Sequence, residues 1–176
     1  MTLFAKIWPL DATSRATKES LVRLEPLPPP GADLGRAILG TWRLLSRIDL
    51  DGEGKRHVDP FLGADPVGIL TFTPNSFAAQ FMNRLRDAAP PPGASAPGAN
   101  NTSAVGGYDA YFGTYVFDPK AGTIATTLEG ALSPANVGVT FTREIRVVGD
   151  RLWIRLATTA ADGTPVTRTL TWERVT

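Results

Sequence analysis

The chain contains no cysteine and a single histidine, His57, among its 176 residues. The first absence removes disulfides, thiolate metal sites and cysteine nucleophiles, and it fits a reducing compartment. The second excludes a multi-histidine metal centre or a histidine pair, so no metal is expected. Glycine-rich dinucleotide fingerprints are missing too, and Gly54-Lys55 lacks the spacing and the following Ser or Thr of a phosphate loop, so no cofactor is expected either. Neither sign of charge dominates: 18 basic and 17 acidic residues give a formal net charge of +1, and no basic run exceeds Lys55-Arg56. Nothing electrostatic therefore points to nucleic acid or an anionic membrane as a partner. The apolar run of about 18 residues that a transmembrane helix needs is absent. Residues 1–10 are interrupted by Lys6 and Pro9 and do not form a signal peptide, which makes the cytoplasm the expected location.

What is present describes a folded, turn-rich chain. Hydrophobic residues make up 43% and charged residues 20%, enough to bury a core and too little charge for wholesale disorder. The length suits one domain. With 17 glycines and 15 prolines, many turns are favoured over long helices. Eight of the prolines fall in two clusters, 26–30 and 90–97, where ladder hydrogen bonding must stop. We divide the chain into an N-terminal arm, 1–31, and a β domain, 32–176. The arm carries Phe4, Ile7 and Trp8; it either docks on the β domain or on a second subunit, giving a homo-oligomer, or remains a disordered tail.

Asp33 is placed to cap a single helical turn that ends at Gly40, and from there the pattern changes to period two. Residues 41–50 alternate Trp42, Leu44, Ser46, Ile48 and Leu50 against Arg43, Leu45, Arg47 and Asp49. Further strands are expected at 67–73, 76–84, 108–117, 122–131, 137–148, 151–159 and 166–175, mostly separated by short turn signals such as Pro74-Asn75 and Gly149-Asp150. Eight sequential antiparallel strands over this length close economically into an up-and-down barrel, which removes exposed edges. The exception to short connections is 88–107, twenty residues without a charge; a loop of that length is either a lid over a site or a disordered linker.

Asp49, Asp51 and Glu53 faintly resemble a calcium loop, but Pro60 stands where the bidentate glutamate belongs, so a charged hairpin turn is the better reading. His57 reads as a solvated loop histidine, and Asn100-Asn101-Thr102 as a chance glycosylation sequon. The informative anomaly is Arg143, which shares the apolar face of its strand with Val139, Phe141, Ile145 and Val147. A guanidinium there must be paired, reach solvent or face a polar ligand. Lining a barrel lumen, Arg143 would anchor a carboxylate, carbonyl or phenolate; the alternative is a structural ion pair with Glu129 on the preceding strand. Tyr108, Tyr111 and Tyr115 cluster within eight residues, Tyr111 and Tyr115 on one face and Tyr108 on the other. Their phenols either meet a ligand or pack in core and girdle. Asn83 shares the face of Phe77, Ala79 and Phe81 and is a further lumen candidate.

Gly40-Thr41-Trp42 after a helical turn resembles the G-x-W signature of lipocalins and related calycin barrels. Together with 65–74, Tyr111-Phe112-Gly113-Thr114-Tyr115, 134–138 and the closing Leu170-Thr171-Trp172-Glu173-Arg174, residues 38–175 are similar to the bacterial and fungal lipocalin-like domain family. The resemblance implies an eight-stranded barrel without a cofactor, its Trp42 plugging one end under a basic residue of the last strand, Arg174 or Arg168. It implies either a small-molecule carrier or a cofactor-free isomerase, cyclase or lyase acting on a hydrophobic or aromatic metabolite. Glu129 and Arg143 fall at the family's recurring acidic and basic positions, while Thr126 and Thr127 replace a histidine pair, which puts in question any chemistry that needs that histidine. The expected site therefore joins Glu129, Arg143 and Tyr115 as acid–base and oxyanion groups. Asn83, Tyr108, Tyr111, Phe81 and Phe141 are expected as ligand contacts for a small apolar or aromatic molecule.

Overall fold

The computed structural model describes residues 26–29, 33–86, 93 and 100–175. Most of the arm, and the expectations that rest on it, lie outside them. A short helix, α1 (Leu34–Ala37), leads into strands β1 (Gly40–Leu50), β2 (Arg56–His57), β3 (Val67–Phe72), β4 (Phe77–Met82), β5 (Tyr108–Asp118), β6 (Thr123–Ala131), β7 (Thr140–Val148), β8 (Arg151–Thr159) and β9 (Pro165–Arg174). The strands pair in the order β2-β1-β3-β4-β5-β6-β7-β8-β9, and β9 returns to β1. The two-residue β2 only covers the end of β1, at Asp49 and Leu50. What remains is the expected closed, eight-stranded, antiparallel up-and-down barrel.

Alternation sends one side chain in two to the lumen. β7 behaves as its sequence requires, with Phe141, Arg143, Ile145 and Val147 all buried. It starts at Thr140 instead of 137 because a 3-10 turn, Pro134–Asn136, precedes it and Gly138 adopts a φ of 82°. β4 stops at Met82, since Asn83 turns out of the ladder and accepts the Leu85 N–H at 3.0 Å.

Two bulges overturn local expectations. In β1 the pairing to β9 shifts between Leu44 and Ser46. Leu45 is the extra residue, so the faces exchange along the strand. Trp42 and Leu44 point inward as expected, but beyond the bulge it is Arg47 and Asp49, 9% and 4% exposed, that are buried. In the β5/β6 pair, Phe112 faces Gly130 while Gly113 faces Leu128, which leaves Glu129 unopposed and exposed. Gly113 permits this close approach, because a Cβ there would lie 1.9 Å from the Thr127 carbonyl oxygen.

The lower end is sealed by Trp42, which is fully buried and donates its indole N–H to the Ile38 carbonyl at 2.8 Å. Arg174 lies over its ring, 4.1 Å from the centroid, and donates to the Leu39 and Ala37 carbonyls at 2.7 and 2.6 Å. It thus serves the last carbonyl of α1, that of Ala37, and the Leu39 carbonyl just beyond the helix while stacking on the indole. Of the two basic residues expected for this role, Arg174 fills it. Asp33 sits at the start of α1 without a side-chain capping bond; its backbone carbonyl takes the Ala37 N–H at 3.0 Å instead.

Gly113→Ala is expected to destabilise the barrel by about 2–3 kcal/mol through overpacking of the bulge. Gly52→Ala, whose Cβ meets nothing within 4 Å, should leave the urea midpoint within measurement error. Equal midpoints for the two variants would refute the close approach at Gly113.

Candidate binding chamber in the barrel lumen

Aromatic and aliphatic side chains fill the lower lumen; polar groups gather towards the upper mouth. There β1 contributes Arg47 and Asp49, and β9 contributes Arg168 on the same alternation as Val166, Leu170 and Trp172. Arg168 grips Asp49 through both carboxylate oxygens, Nε to Oδ1 at 2.8 Å and Nη2 to Oδ2 at 2.7 Å. Such a two-point guanidinium–carboxylate pair is strong and directional. Arg47 donates to the same Asp49 at 3.3 Å and to Asp59 at 3.1 Å. Asp59 also accepts the backbone N–H groups of Phe61 and Leu62, both at 2.9 Å, so this loop is tied into the mouth.

The long connection expected as a lid or a linker enters the mouth in its described part. Asn101, Thr102, Ser103 and Ala104 are all buried. The Asn101 side-chain carbonyl accepts from Arg168, and the Thr102 hydroxyl donates to Asp109 at 2.6 Å. Asn100, with a φ of 56°, bonds through its amide to the Thr142 carbonyl at 3.1 Å. The segment is a plug.

Below it lie two small cavities, the upper of about 30 Å³ and the lower of about 20 Å³. Phe81, Tyr111, Arg143 and Leu170 wall both. Arg143 is 8% exposed, its guanidinium lies 5.2 Å from the Phe141 ring centroid, and among the described residues its Nε has no hydrogen-bond partner. Another hollow, about 280 Å³, lies on the outer wall beside Arg43, Ile69, Gln80 and Tyr108. It is roomier, but among the described residues buried polar groups converge in the lumen, which makes the lumen the better site.

The lipocalin-like domain family matches residues 39–175, spanning the whole barrel from the G-x-W segment to the closing strand. The chain belongs to the lipocalin-like domain family. No curated protein matches it. Among the described residues, no helix is long and apolar enough to cross a membrane.

Within this lipocalin-like barrel the expected site residues part company. Arg143, Tyr111, Phe81 and Phe141 come together in the lumen. Tyr115 is separate, near the lower end, where its hydroxyl donates to the Thr73 carbonyl and its ring meets Phe72 and Phe117 edge-on, each at 5.2 Å. Tyr108 lies on the outer face and donates to Gln80 at 2.8 Å. Asn83 donates to the Phe61 carbonyl at 2.9 Å and serves the loops. Glu129 is outside on its bulge, so it neither pairs with Arg143 nor reaches the lumen. His57 is not solvated: its side chain is 11% exposed and bonds Asp51 at 2.9 Å. The neighbouring turn is capped as a charged hairpin, with Asp51 accepting the Glu53 and Lys55 N–H groups at 3.0 and 2.9 Å.

The residues that sequence reading missed are Arg47, Asp49, Asp109, Arg168, Asn101 and Thr102. Arg168 and Asp109 carried a usable signal, each alternating with inward apolar or aromatic neighbours as Arg143 does. Arg47 and Asp49 were hidden by the bulge, and Asn101 and Thr102 by a loop without periodicity.

Burial raises the Asp49 carboxyl, but the guanidiniums of Arg168 and Arg47 outweigh it and hold the group below the ordinary carboxylate range. Asp109 goes the other way: burial pushes its carboxyl up, against the Thr102 hydrogen bond and the charges of Arg47 and Arg143. Burial likewise raises the Tyr111 phenol, opposed by Arg143.

The linkage signs therefore differ. The contribution of Asp49 is present above its unfolded pKa and lost as pH falls through the lower folded one; that of Asp109 is present at acid pH and lost as pH rises through its raised folded pKa. Asp49→Asn should cost about 3–5 kcal/mol at pH 7, by leaving Arg168 without its partner charge, and less as pH drops below about 4. Asp109→Asn should be at least as stable as the parent at pH 7 and equal to it at acid pH. Urea midpoints against pH check both, and an Asp109→Asn protein as weakened at pH 7 as Asp49→Asn would contradict this account.

Proposed function

We propose that the chain binds a small organic molecule in the barrel lumen, a polar acceptor of that molecule lying against Arg143 and Tyr111 and its apolar body in the lower chamber. The observation that carries this reading is the buried Arg143, whose Nε lacks a partner among the described residues, in the wall shared by both cavities. A buried donor left unmade costs about 1–3 kcal/mol, and a ligand oxygen relieves that cost. Each cavity has room for about one or two waters, so a whole molecule is admitted when the 100–104 plug withdraws and Phe81 or Leu170 turns aside. The absence of cysteine supports a reducing, cytoplasmic setting for the binding.

Asp109 favours a second reading. It is 3% exposed and lines the upper cavity with Tyr111 and Arg143, and burial biases its carboxyl towards the protonated form. A carboxylic acid so placed suits general acid–base work, with Arg143 or Tyr111 stabilising an oxyanion. On this reading Asp109 takes the role expected of Glu129, and the barrel is a cofactor-free isomerase, cyclase or lyase.

Native mass spectrometry of the purified protein, followed by denaturing extraction, tests both. A stoichiometric small molecule is expected, lost from Arg143→Met and recovered unchanged from the parent. Conversion of an added aromatic or terpenoid metabolite by the parent, but not by Asp109→Asn, would instead establish the enzyme. Equal occupancy of the parent and Arg143→Met would remove Arg143 from the site.

A further inference from the structure

The lower cavity is walled by two unpartnered buried donors. Besides the Nε of Arg143, the indole N–H of Trp172 has no partner among the described residues, although Trp172 is 1% exposed and sits in the same wall. The contrast with Trp42 is direct, since that indole is satisfied by the Ile38 carbonyl. Buried N–H groups are nearly always paired, and each exception asks for an explanation. The remaining wall does not supply one. It consists largely of Phe72, Phe77, Ala79, Ile124 and Ile154; the Thr126 hydroxyl is donated to the Phe141 carbonyl at 3.2 Å, and the Tyr111 phenol in the same wall is engaged with Arg143 and Thr102.

Charge adds a second constraint. Arg168 and Arg47 share Asp49 and Asp59, whereas Arg143 forms no salt bridge among the described residues. The remaining lumen carboxyl, Asp109, accepts from Thr102 and forms no salt bridge with Arg143 among the described residues. One guanidinium of the chamber is thus left without a carboxylate of its own. A buried cation in this position is stabilised by an anion that also accepts its hydrogen bonds.

We infer that the lumen takes a compact organic anion with two acceptor sites, a carboxylate or similar oxyanion for Arg143 and a second oxygen for the indole N–H of Trp172. This rests on the reading of the lumen as a small-molecule site and adds the chemical class of the ligand. A neutral hydrocarbon would leave both donors unpaired. A neutral ligand with one oxygen would serve one donor and leave the charge. Trp172 becomes a residue that sets specificity, as the only tryptophan side chain in the wall of this cavity.

The test uses the whole chain labelled with nitrogen-15 and three probes of similar size: phenylglyoxylate, with a carboxylate and a ketone; benzoate, with the carboxylate alone; and benzamide, which is neutral. Resonances of the Trp172 indole and the Arg143 Nε are assigned with Trp172→Phe and Arg143→Met. Phenylglyoxylate is expected to bind at least about tenfold tighter than benzamide and to shift both resonances. Benzoate should shift Arg143 only and bind with intermediate affinity. Trp172→Phe should bring phenylglyoxylate down to the level of benzoate, and Arg143→Met should abolish the preference for the anions while sparing benzamide. If Arg143→Met does not fold, the probe series on the parent and Trp172→Phe decides the matter. Benzamide binding in the lumen as tightly as phenylglyoxylate would overturn the anion and leave the small-molecule site standing; failure of all three probes to bind would overturn both.

Discussion

The closure of β9 onto β1 through the Arg168–Asp49 pair is the constraint from which the rest of the upper lumen follows. A charge pair this deep requires both partners inward on facing strands, and the β1 bulge at Leu45 is what turns Asp49 in. The same phase change brings Arg47 inside, which then recruits Asp59 and its loop. The free face of Arg168 takes the Asn101 oxygen and thereby fixes the plug. One inserted residue thus couples barrel closure to the covering of the mouth. Removing either member of the central pair leaves a charge stranded in apolar surroundings, a larger loss than the net worth of the pair.

The two ends of the barrel solve the same problem with different chemistry. The lower end is sealed by stacking and backbone hydrogen bonds around Trp42, with Arg174 only half-buried and its charge able to reach water. The upper end is sealed by ions and amides that have little water to turn to. Apolar packing at one end gives a rigid base, and a polar, hydrogen-bonded cover at the other can be exchanged bond for bond with water or ligand. The lumen between them inherits this polarity, apolar near Phe72 and Phe77 and charged near Arg143.

The fold was legible in the sequence because strand period, turn residues and the G-x-W segment all point to one architecture. Arg143 was legible for the opposite reason, as a charge that breaks the pattern of its own strand. What escaped was phase. Alternation is read residue by residue, so a single extra residue inverts every assignment beyond it. That is why Arg47 and Asp49 were placed outside. Glu129 was offered to Arg143 because it lies on the preceding strand, but Ile124, Thr126 and Leu128 take the inward positions before it, so alternation itself turns it out. Asn83 failed for a related reason, since its strand ends one residue before it. The contribution of Asn101 and Thr102 has no periodic signal at all, because loop residues reach a site through tertiary contacts alone.

The stem of the long connection between β4 and β5 is closed by its own hydrogen bond, from the Asn83 N–H to the Gly107 carbonyl at 2.8 Å. The two strands below it are therefore in register whatever the intervening segment does. Loop closure entropy grows only logarithmically with length, by about 0.6 kcal/mol per doubling. Insertions and deletions above the stem that leave Asn101 and Thr102 in place are consequently cheap for the barrel. Selection can remodel the rest of the covering segment, and with it the choice of guest, while the bonds to Arg168 and Asp109 keep the host intact.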